Sequence, residues 1–315
     1  VAMEIPGVLA VITGEDLKQY NLHWMPNLMS DTQMVLPTDT VMYQAQEVAA
    51  VIATDRYIAA DAVQALENSI EYESMKPLID PHKALDADAP LLRPDKEGKT
   101  DNHIWHWQTG DQEATEQVFT KAVVVVKEQV YIPRIHVASI ETCGCVASYE
   151  KAEGKLTVWM TTQAPHAIRT VIALVAGHVG LSEERVRVIS PDIGGGFGGK
   201  VPVYPGYVIA IAASFLIGKP IKWIEDRSEN LQADSFARDY HMTVELASTK
   251  EGKMTGLRFK TLADHGYTDA AANPSKFPSG LFSIVTGSYD IPTAFTEMDA
   301  VYTCLLYTSP SPRDS

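Results

Sequence analysis

Apolar and polar positions in the first eighty residues alternate between strand-like and helix-like periods. The apolar runs at 8–13 (VLAVIT) and 47–54 (EVAAVIAT) predict buried strands, and GEDL after the first run predicts a helical turn. Four apolar positions then recur at i, i+3, i+4 and i+7 from Ala59 to Leu66, which predicts one face of a helix that Asp55 can cap. IEYE at 70–73 predicts one more strand. We therefore expect a small α+β unit over residues 1–80.

From about residue 119 the pattern changes to long strands and two strongly apolar helices. Apolar positions on one face predict a helix over 164–180 that ends at Gly180, and residues 206–218 are apolar all round, which predicts a buried helix. Strands are predicted at 123–132, 145–150, 155–163, 185–190, 221–226, 241–248 and 253–266. Residues 81–118 are rich in Asp, Pro and Lys and lack a period, so they predict a surface linker between two domains.

The charge balance excludes several classes of function. The chain has 26 Lys and Arg residues against 40 Asp and Glu residues, a net charge of −14, which disfavours nonspecific binding to nucleic acid or to anionic membranes. Its apolar runs are all shorter than the roughly 18 residues of a membrane span. Three cysteines in 315 residues predict no disulfide framework and indicate a reducing compartment, so a cytoplasmic protein is expected.

The last twelve residues, 304–315 (CLLYTSPSPRDS), stand apart from the rest of the sequence. They lack an apolar period, alternate Ser and Pro, and resemble the translation of a sequencing adapter; the alternative is a natural Ser/Pro-rich tail. We expect an adapter, which leaves 303 authentic residues and makes Cys304 foreign to the protein. The chain also begins as if inside a domain, so it is expected to be truncated at both ends.

The stretch 192–200 (DIGGGFGGK) holds five glycines in nine residues and has three interpretations. The first is a phosphate loop: Gly194, Gly199 and Lys200 match G-x-x-x-x-G-K, but the nucleotide-binding pattern continues with a Ser or Thr that reaches Mg²⁺, and Val201 stands at that position. A tight turn without a ligand is the second. The third is a loop pressed against a flat anionic cofactor, whose backbone N–H groups donate hydrogen bonds while Phe197 supplies an apolar wall.

Two segments resemble those of the molybdenum hydroxylases, the xanthine dehydrogenase and aldehyde oxidase superfamily: DIGGGFGGK after RVRVIS, and TTQAPH at 161–166. The resemblance implies that Gly195, Gly196, Phe197 and Gly198 bind the molybdopterin cofactor. It also implies that Gln163 is the active-site amide near molybdenum, because an amide can donate to a metal ligand without adding charge.

The same resemblance implies the fold class and the domain organisation. The fold is expected to be α+β, with an α/β hammerhead domain at 1–80, the linker at 81–118 and the truncated start of a mixed α/β molybdopterin-binding domain at 119–303. Gln163 and Phe197 are the residues expected at the reaction centre. His166 is expected to be a first-turn helix residue and not a ligand.

Further segments resemble one branch of this superfamily, the large subunits of the copper-containing carbon monoxide dehydrogenases. They are NLHWMP (21–26), IETCGCVASYE (140–150) and ADHGYTDAAANPSKFPSG (263–280). This resemblance implies oxidation of carbon monoxide with water to carbon dioxide. The alternative is a related molybdenum hydroxylase that oxidises an aldehyde or an N-heterocycle.

The branch resemblance also implies cofactors and partners. The cofactor is expected to be molybdopterin cytosine dinucleotide with Mo, and a Cu bridged to Mo by sulfur, whose ligating Cys lies beyond residue 303. No metal ligand is thus expected within the chain, and Cys143 and Cys145 are expected to be structural. The partners are an iron–sulfur small subunit and an FAD medium subunit in a dimer of heterotrimers, at the inner face of the cell membrane. The fragment alone is expected to be inactive.

Overall fold

The computed structural model describes residues 1–27, 31–268 and 284–305. In chain order these residues form β1 (Val8–Thr13), α1 (Gly14–Gln19), β2 (Trp24–Pro26), β3 (Thr32–Met34), β4 (Ala49–Ala53), α2 (Arg56–Glu67), β5 (His103–Gly110), α3 (Gln112–Lys121), β6 (Val124–Ile132), β7 (Gly144–Glu150), β8 (Lys155–Met160), α4 (Pro165–Gly177), β9 (Val186–Ile189), α5 (Pro205–Ile217), β10 (Ile221–Ile224), α6 (Arg227–Ala233), β11 (Tyr240–Ser248), β12 (Met254–Gly266) and β13 (Ala294–Tyr302). The mixture of helices and strands confirms the predicted α+β fold class. Across the described ranges, the helices are too short or too polar to cross a bilayer.

The chain divides into two compact units, and each unit is built from two separate segments. Residues 1–77 and 137–234 form the first unit, and residues 78–136 and 235–315 form the second. Residues 269–280 of the segment quoted above and residues 306–315 of the adapter-like tail lie outside the described residues.

The first segment of the first unit confirms most of the elements predicted there. β1 and β4 form an antiparallel pair. Thr13 and Asp16 form a capping box at the start of α1, and the Asp55 carboxylate accepts the N–H groups of Tyr57 and Ile58 at the start of α2. The strand predicted at 70–73 is wrong: these residues form no strand, and 71–73 are exposed, since a strand-like pattern needs a neighbouring strand to pair with.

The second segment of the first unit forms a four-stranded sheet in the order β10-β7-β8-β9. β8 and β9 are parallel and are joined through α4, while the other two pairs are antiparallel. α5 is buried from Pro205 to Ser214, as its all-round apolar sequence predicts. It packs on β7 and β10, and a Cβ at Gly206 would lie 2.3 Å from the Trp223 ring, so only glycine allows the helix to approach this closely.

The second unit holds a five-stranded sheet in the order β5-β13-β12-β11-β6, in which β12 and β13 are parallel. β5 and α3 lie inside the segment predicted to be a linker, so that prediction is wrong over residues 103–118. The physical reason is visible in both elements. β5 (HIWHWQTG) is an edge strand whose alternate residues face solvent, and α3 buries only Thr115, so neither carries a strong apolar period.

Candidate functional site

Gln163 and the glycine loop meet because they follow two adjacent parallel strands. Gln163 lies three residues after β8, and the loop follows β9, so both lie at the edge of the sheet where the carboxyl ends of parallel strands meet. Two hydrogen bonds join the segments: Ser190 Oγ donates to the Thr162 carbonyl over 2.7 Å, and Gln163 N donates to the Lys200 carbonyl over 3.0 Å.

The side chain of Gln163 is oriented by the loop. Its Oε1 accepts the backbone N–H of Gly198 at 3.0 Å and of Lys200 at 3.3 Å. Because an amide carries its acceptor and its donors on different atoms, these bonds direct Nε2 away from the loop, and Nε2 has no partner among the described residues. A Cβ at Gly196 would lie 2.4 Å from Oε1, so glycine at this position makes room for the glutamine.

The loop backbone offers hydrogen-bond donors beside an exposed aromatic ring. Gly195 and Gly198 have φ of 92°, and Phe197 has φ of 49°, a left-handed conformation uncommon for a residue with a side chain. The N–H groups of Gly196 and Phe197 have no acceptor within the described ranges, and successive free N–H groups of this kind make an anion-binding concavity. The Phe197 side chain is 61% exposed, although it is large and apolar.

Lys200 fixes the loop from inside. Its side chain is 1% exposed, and Nζ donates to Glu141 Oε2 over 2.7 Å. The same oxygen accepts the N–H of Gly194 at 2.7 Å. Burial tends to raise the pKa of Glu141, but the hydrogen bonds from Lys200 and Gly194 outweigh it and lower that pKa below its ordinary value. Lys200 is therefore turned into the protein, which disfavours the phosphate-loop interpretation, where the lysine must reach the ligand.

The structure brings together all the site residues that the sequence predicts: Gln163, Gly195, Gly196, Phe197 and Gly198. His166, by contrast, is an exposed residue at the second position of α4. Glu141 was not foreseen, since a single glutamate 59 positions before Lys200 carries no local signal.

Comparisons with known proteins place this chain within a family. Residues 95–310 match the molybdopterin cofactor-binding domain, and residues 1–76 match the aldehyde oxidase and xanthine dehydrogenase a/b hammerhead domain. The chain therefore belongs to the molybdopterin-binding family that includes the aldehyde oxidases and xanthine dehydrogenases.

Within this family the chain is most usefully compared with three proteins. It is 53% identical to the carbon monoxide dehydrogenase large chain of Hydrogenophaga pseudoflava, over 96% of this chain and 38% of the relative. It is 34% identical to the nicotine 6-hydroxylase large subunit of Paenarthrobacter nicotinovorans, over 93% of this chain and 36% of that subunit. It superimposes on the crystal structure of a Cu,Mo-CO dehydrogenase in its carbon monoxide reduced state with a TM-score of 0.91 and 51% identity, covering 98% of this chain and 39% of that one.

The chain thus spans less than two fifths of the length of these relatives. The residues present nevertheless fit an anionic cofactor with a flat face. Two backbone N–H groups without an acceptor among the described residues, the amide nitrogen of Gln163 and the exposed ring of Phe197 all belong to the loop or to the side chain that it holds. The carboxylate of Glu141, which bonds to the loop, is itself occupied by Lys200 and Gly194.

Proposed function

We propose that this chain is part of the large subunit of a molybdenum hydroxylase that oxidises carbon monoxide. The reaction consumes one water and releases two protons and two electrons with each carbon dioxide. The observation that carries the proposal is the difference in identity: 53% over nearly the whole chain to a carbon monoxide dehydrogenase large chain, against 34% to a nicotine 6-hydroxylase large subunit. The geometry of Gln163 and the glycine loop supports it.

The protein's contribution is to orient the cofactor and to exclude water. When bound, the molybdenum cofactor supplies the two-electron redox chemistry. The N–H groups of Gly196 and Phe197 would donate hydrogen bonds to it, and Gly195 and Gly198 allow the backbone to turn so that these donors face outward. Gln163 Nε2 would donate to an oxygen ligand without adding charge, and the Phe197 ring would cover the reaction centre against solvent.

The proposal extends to the cofactor's finer chemistry and to the assembly. It takes the cofactor as molybdopterin cytosine dinucleotide, with a copper bridged to the molybdenum by sulfur and ligated by a Cys outside residues 1–303. Electrons would pass to an iron–sulfur small subunit and an FAD medium subunit in a cytoplasmic dimer of heterotrimers. The hammerhead domain would cover residues 1–80, and the first molybdopterin-binding domain would extend to residue 303.

The test uses the intact subunit assembled with its partner subunits. Its gene is first read past the codon for Thr303, where the resemblance to the copper-containing branch predicts the copper-ligating Cys. Purified enzyme is then assayed for reduction of an artificial electron acceptor with carbon monoxide, an aldehyde or an N-heterocycle as the electron donor. Turnover of carbon monoxide is expected. Turnover of an aldehyde or heterocycle without turnover of carbon monoxide would overturn the substrate and keep the family.

A matched pair of variants tests the part played by Gln163. Gln163→Leu removes both the acceptor and the donor, and Gln163→Glu keeps the acceptor but replaces the donating nitrogen. Both are expected to lose carbon monoxide turnover, because the donor is absent in each. Full activity in Gln163→Glu would show that the outward-facing nitrogen is not needed.

A further inference from the structure

A buried group of potential metal ligands lies outside the glycine loop, in the first unit. Cys143 directly precedes β7, Glu225 directly follows β10, and Asp234 directly follows α6. Their exposed fractions are 1%, 4% and 4%. One ligand atom from each lies within 4.8 Å of the other two, so three separate segments converge on one point.

The hydrogen bonds of this group leave one oxygen unsatisfied. Cys143 Sγ lies 3.6 Å from Asp234 Oδ2, and Glu225 Oε2 accepts the N–H of Cys143 at 3.1 Å. Asn230 Nδ2 bridges the two acids, at 3.1 Å from Glu225 Oε2 and 2.5 Å from Asp234 Oδ2. Asp234 Oδ1 is buried and has no hydrogen-bond partner within the described residues. Neither acid forms an ion pair with a described Lys, Arg or His.

Two buried carboxyl groups side by side need a positive charge between them, because burial of an uncompensated charge is costly. Without a cation, a proton shared by the two carboxyl groups supplies this charge, because burial and the neighbouring Glu225 raise the pKa of Asp234 to about 9. A shared proton bridges one pair of oxygens, however, and the Cys143 thiol then makes only a long contact of 3.6 Å to Asp234 Oδ2, while Asp234 Oδ1 stays without a partner among the described residues.

We propose that Cys143, Glu225 and Asp234 form a structural site for a divalent cation, with Zn²⁺ as the best match. One sulfur and two carboxylate oxygens combine a soft and a hard donor type, which suits the borderline character of zinc. A water or a second carboxylate oxygen would complete four-coordination, and Asp234 Oδ1 is available for it. Binding would release the thiol proton of Cys143 and the proton held by Asp234.

The site would join β7, β10 and α6 next to β8, the strand that precedes Gln163. Gly144, directly after Cys143, donates to Thr161 Oγ1 over 3.0 Å, and its carbonyl accepts the N–H of Thr161 at 3.0 Å. Thr161 lies two residues before Gln163. The cation would therefore stabilise the fold beneath the glycine loop, and this inference does not depend on the identity of the substrate.

The test is metal titration of the 315-residue chain, purified without a tag and treated with a chelator. Cobalt(II) alone is the optical probe, since thiolate ligation gives an intense charge-transfer band in the near ultraviolet. Zinc(II) alone is added in parallel, and the retained metal is counted by mass spectrometry after dialysis. One zinc per chain, a cobalt–thiolate band and a higher Tm with zinc are expected. Cys143→Ser should lose the band, and Asp234→Asn should bind at least tenfold more weakly.

The controls separate the thiol of Cys143 from the other two thiols of the chain. Cys145→Ser and Cys304→Ser remove the remaining thiols and should leave the band and the zinc count unchanged. Wild-type chain that retains no zinc and shows no band would overturn the proposal, in favour of carboxyl groups held by a shared proton. Equal loss of the band in Cys145→Ser would also overturn it. If Cys143→Ser does not fold, the wild-type titration and the two control variants decide.

Discussion

Replacing Gly196 with alanine separates the contribution of the glycine loop to stability from its contribution to function. The added Cβ would lie 2.4 Å from Gln163 Oε1 and 2.5 Å from Cδ, closer than any real contact. Those atoms are the far end of a flexible side chain that is exposed, so Gln163 should rotate away and relieve the overlap. The cost is then the loss of its two hydrogen bonds, at about 0.5–1.5 kcal/mol each.

We therefore expect Gly196→Ala to lower the free energy of unfolding of the chain by about 1–3 kcal/mol, towards the lower end because Gln163 is exposed. Gly177→Ala is the matched control. Gly177 is the last residue of α4, and an added Cβ there meets nothing within 4 Å, so this variant should be neutral or up to about 1 kcal/mol more stable.

Two assays check the prediction. Denaturant unfolding gives the change in stability, and NMR of the side-chain amide of Gln163 in ¹⁵N-glutamine-labelled chain reports its release from the loop. In the intact subunit, the same variant should retain less molybdenum. Unchanged Gln163 amide signals together with wild-type stability would refute the reasoning, because they would mean that the loop does not hold the glutamine.

Three further variants probe the packing of α5 and the side chains of the glycine loop. Gly206→Ala should destabilise the chain by about 3 kcal/mol in denaturant unfolding, because its Cβ meets the rigid, half-buried ring of Trp223, which packs edge-on against Tyr207; a loss below that of Gly196→Ala would contradict this. Glu141→Gln should cost about 1 kcal/mol at pH 7, since Glu141 is partly exposed. The lowered pKa of Glu141 means that its stabilisation is fully present above the ordinary carboxyl pKa and is lost as the pH falls through the lower folded value. The difference in stability from wild type should therefore shrink in acid as Glu141 becomes protonated; a difference that stays constant in acid titrations would count against the ion pair. Phe197→Gly should raise stability by about 1 kcal/mol, because it relieves a left-handed φ of 49° at an exposed side chain, while activity of the intact enzyme falls; unchanged activity would remove Phe197 from the reaction centre.

Elements with a strong apolar period could be predicted from the sequence, and elements without one could not. β1, α2 and α5 have the expected bounds within a few residues, since each buries one face or all of its surface. β5 and α3 lie within the segment that the sequence predicts to be a linker, because many of their side chains face water and neither element carries a strong apolar period. The structure of β5 depends on pairing with β13, which begins some 180 residues after β5 ends.

The residues of the candidate site also differ in whether the sequence could predict them. The glycine stretch and Gln163 each carry a local pattern, so both could be selected from the sequence. The partner of Lys200 could not, because Glu141 comes next to it only through the folded sheet. The group at Cys143 was missed for a related reason. β10 pairs antiparallel with β7 so that Ile224 lies opposite Gly144, and this register alone brings Glu225 beside Cys143.

The division of each compact unit into two chain segments has a consequence for synthesis on the ribosome. β6 begins with three of four consecutive valines, and in the sheet that the described residues form it is an edge strand paired with β11. Roughly a hundred residues must be translated between the two strands, which takes on the order of 5–20 s at bacterial rates. During that interval the valines of the nascent chain have no native partner, and the first unit is itself incomplete until residue 234 has emerged. The yield of folded protein should therefore depend on chaperones that bind extended apolar segments, and on the rate of translation across residues 133–240.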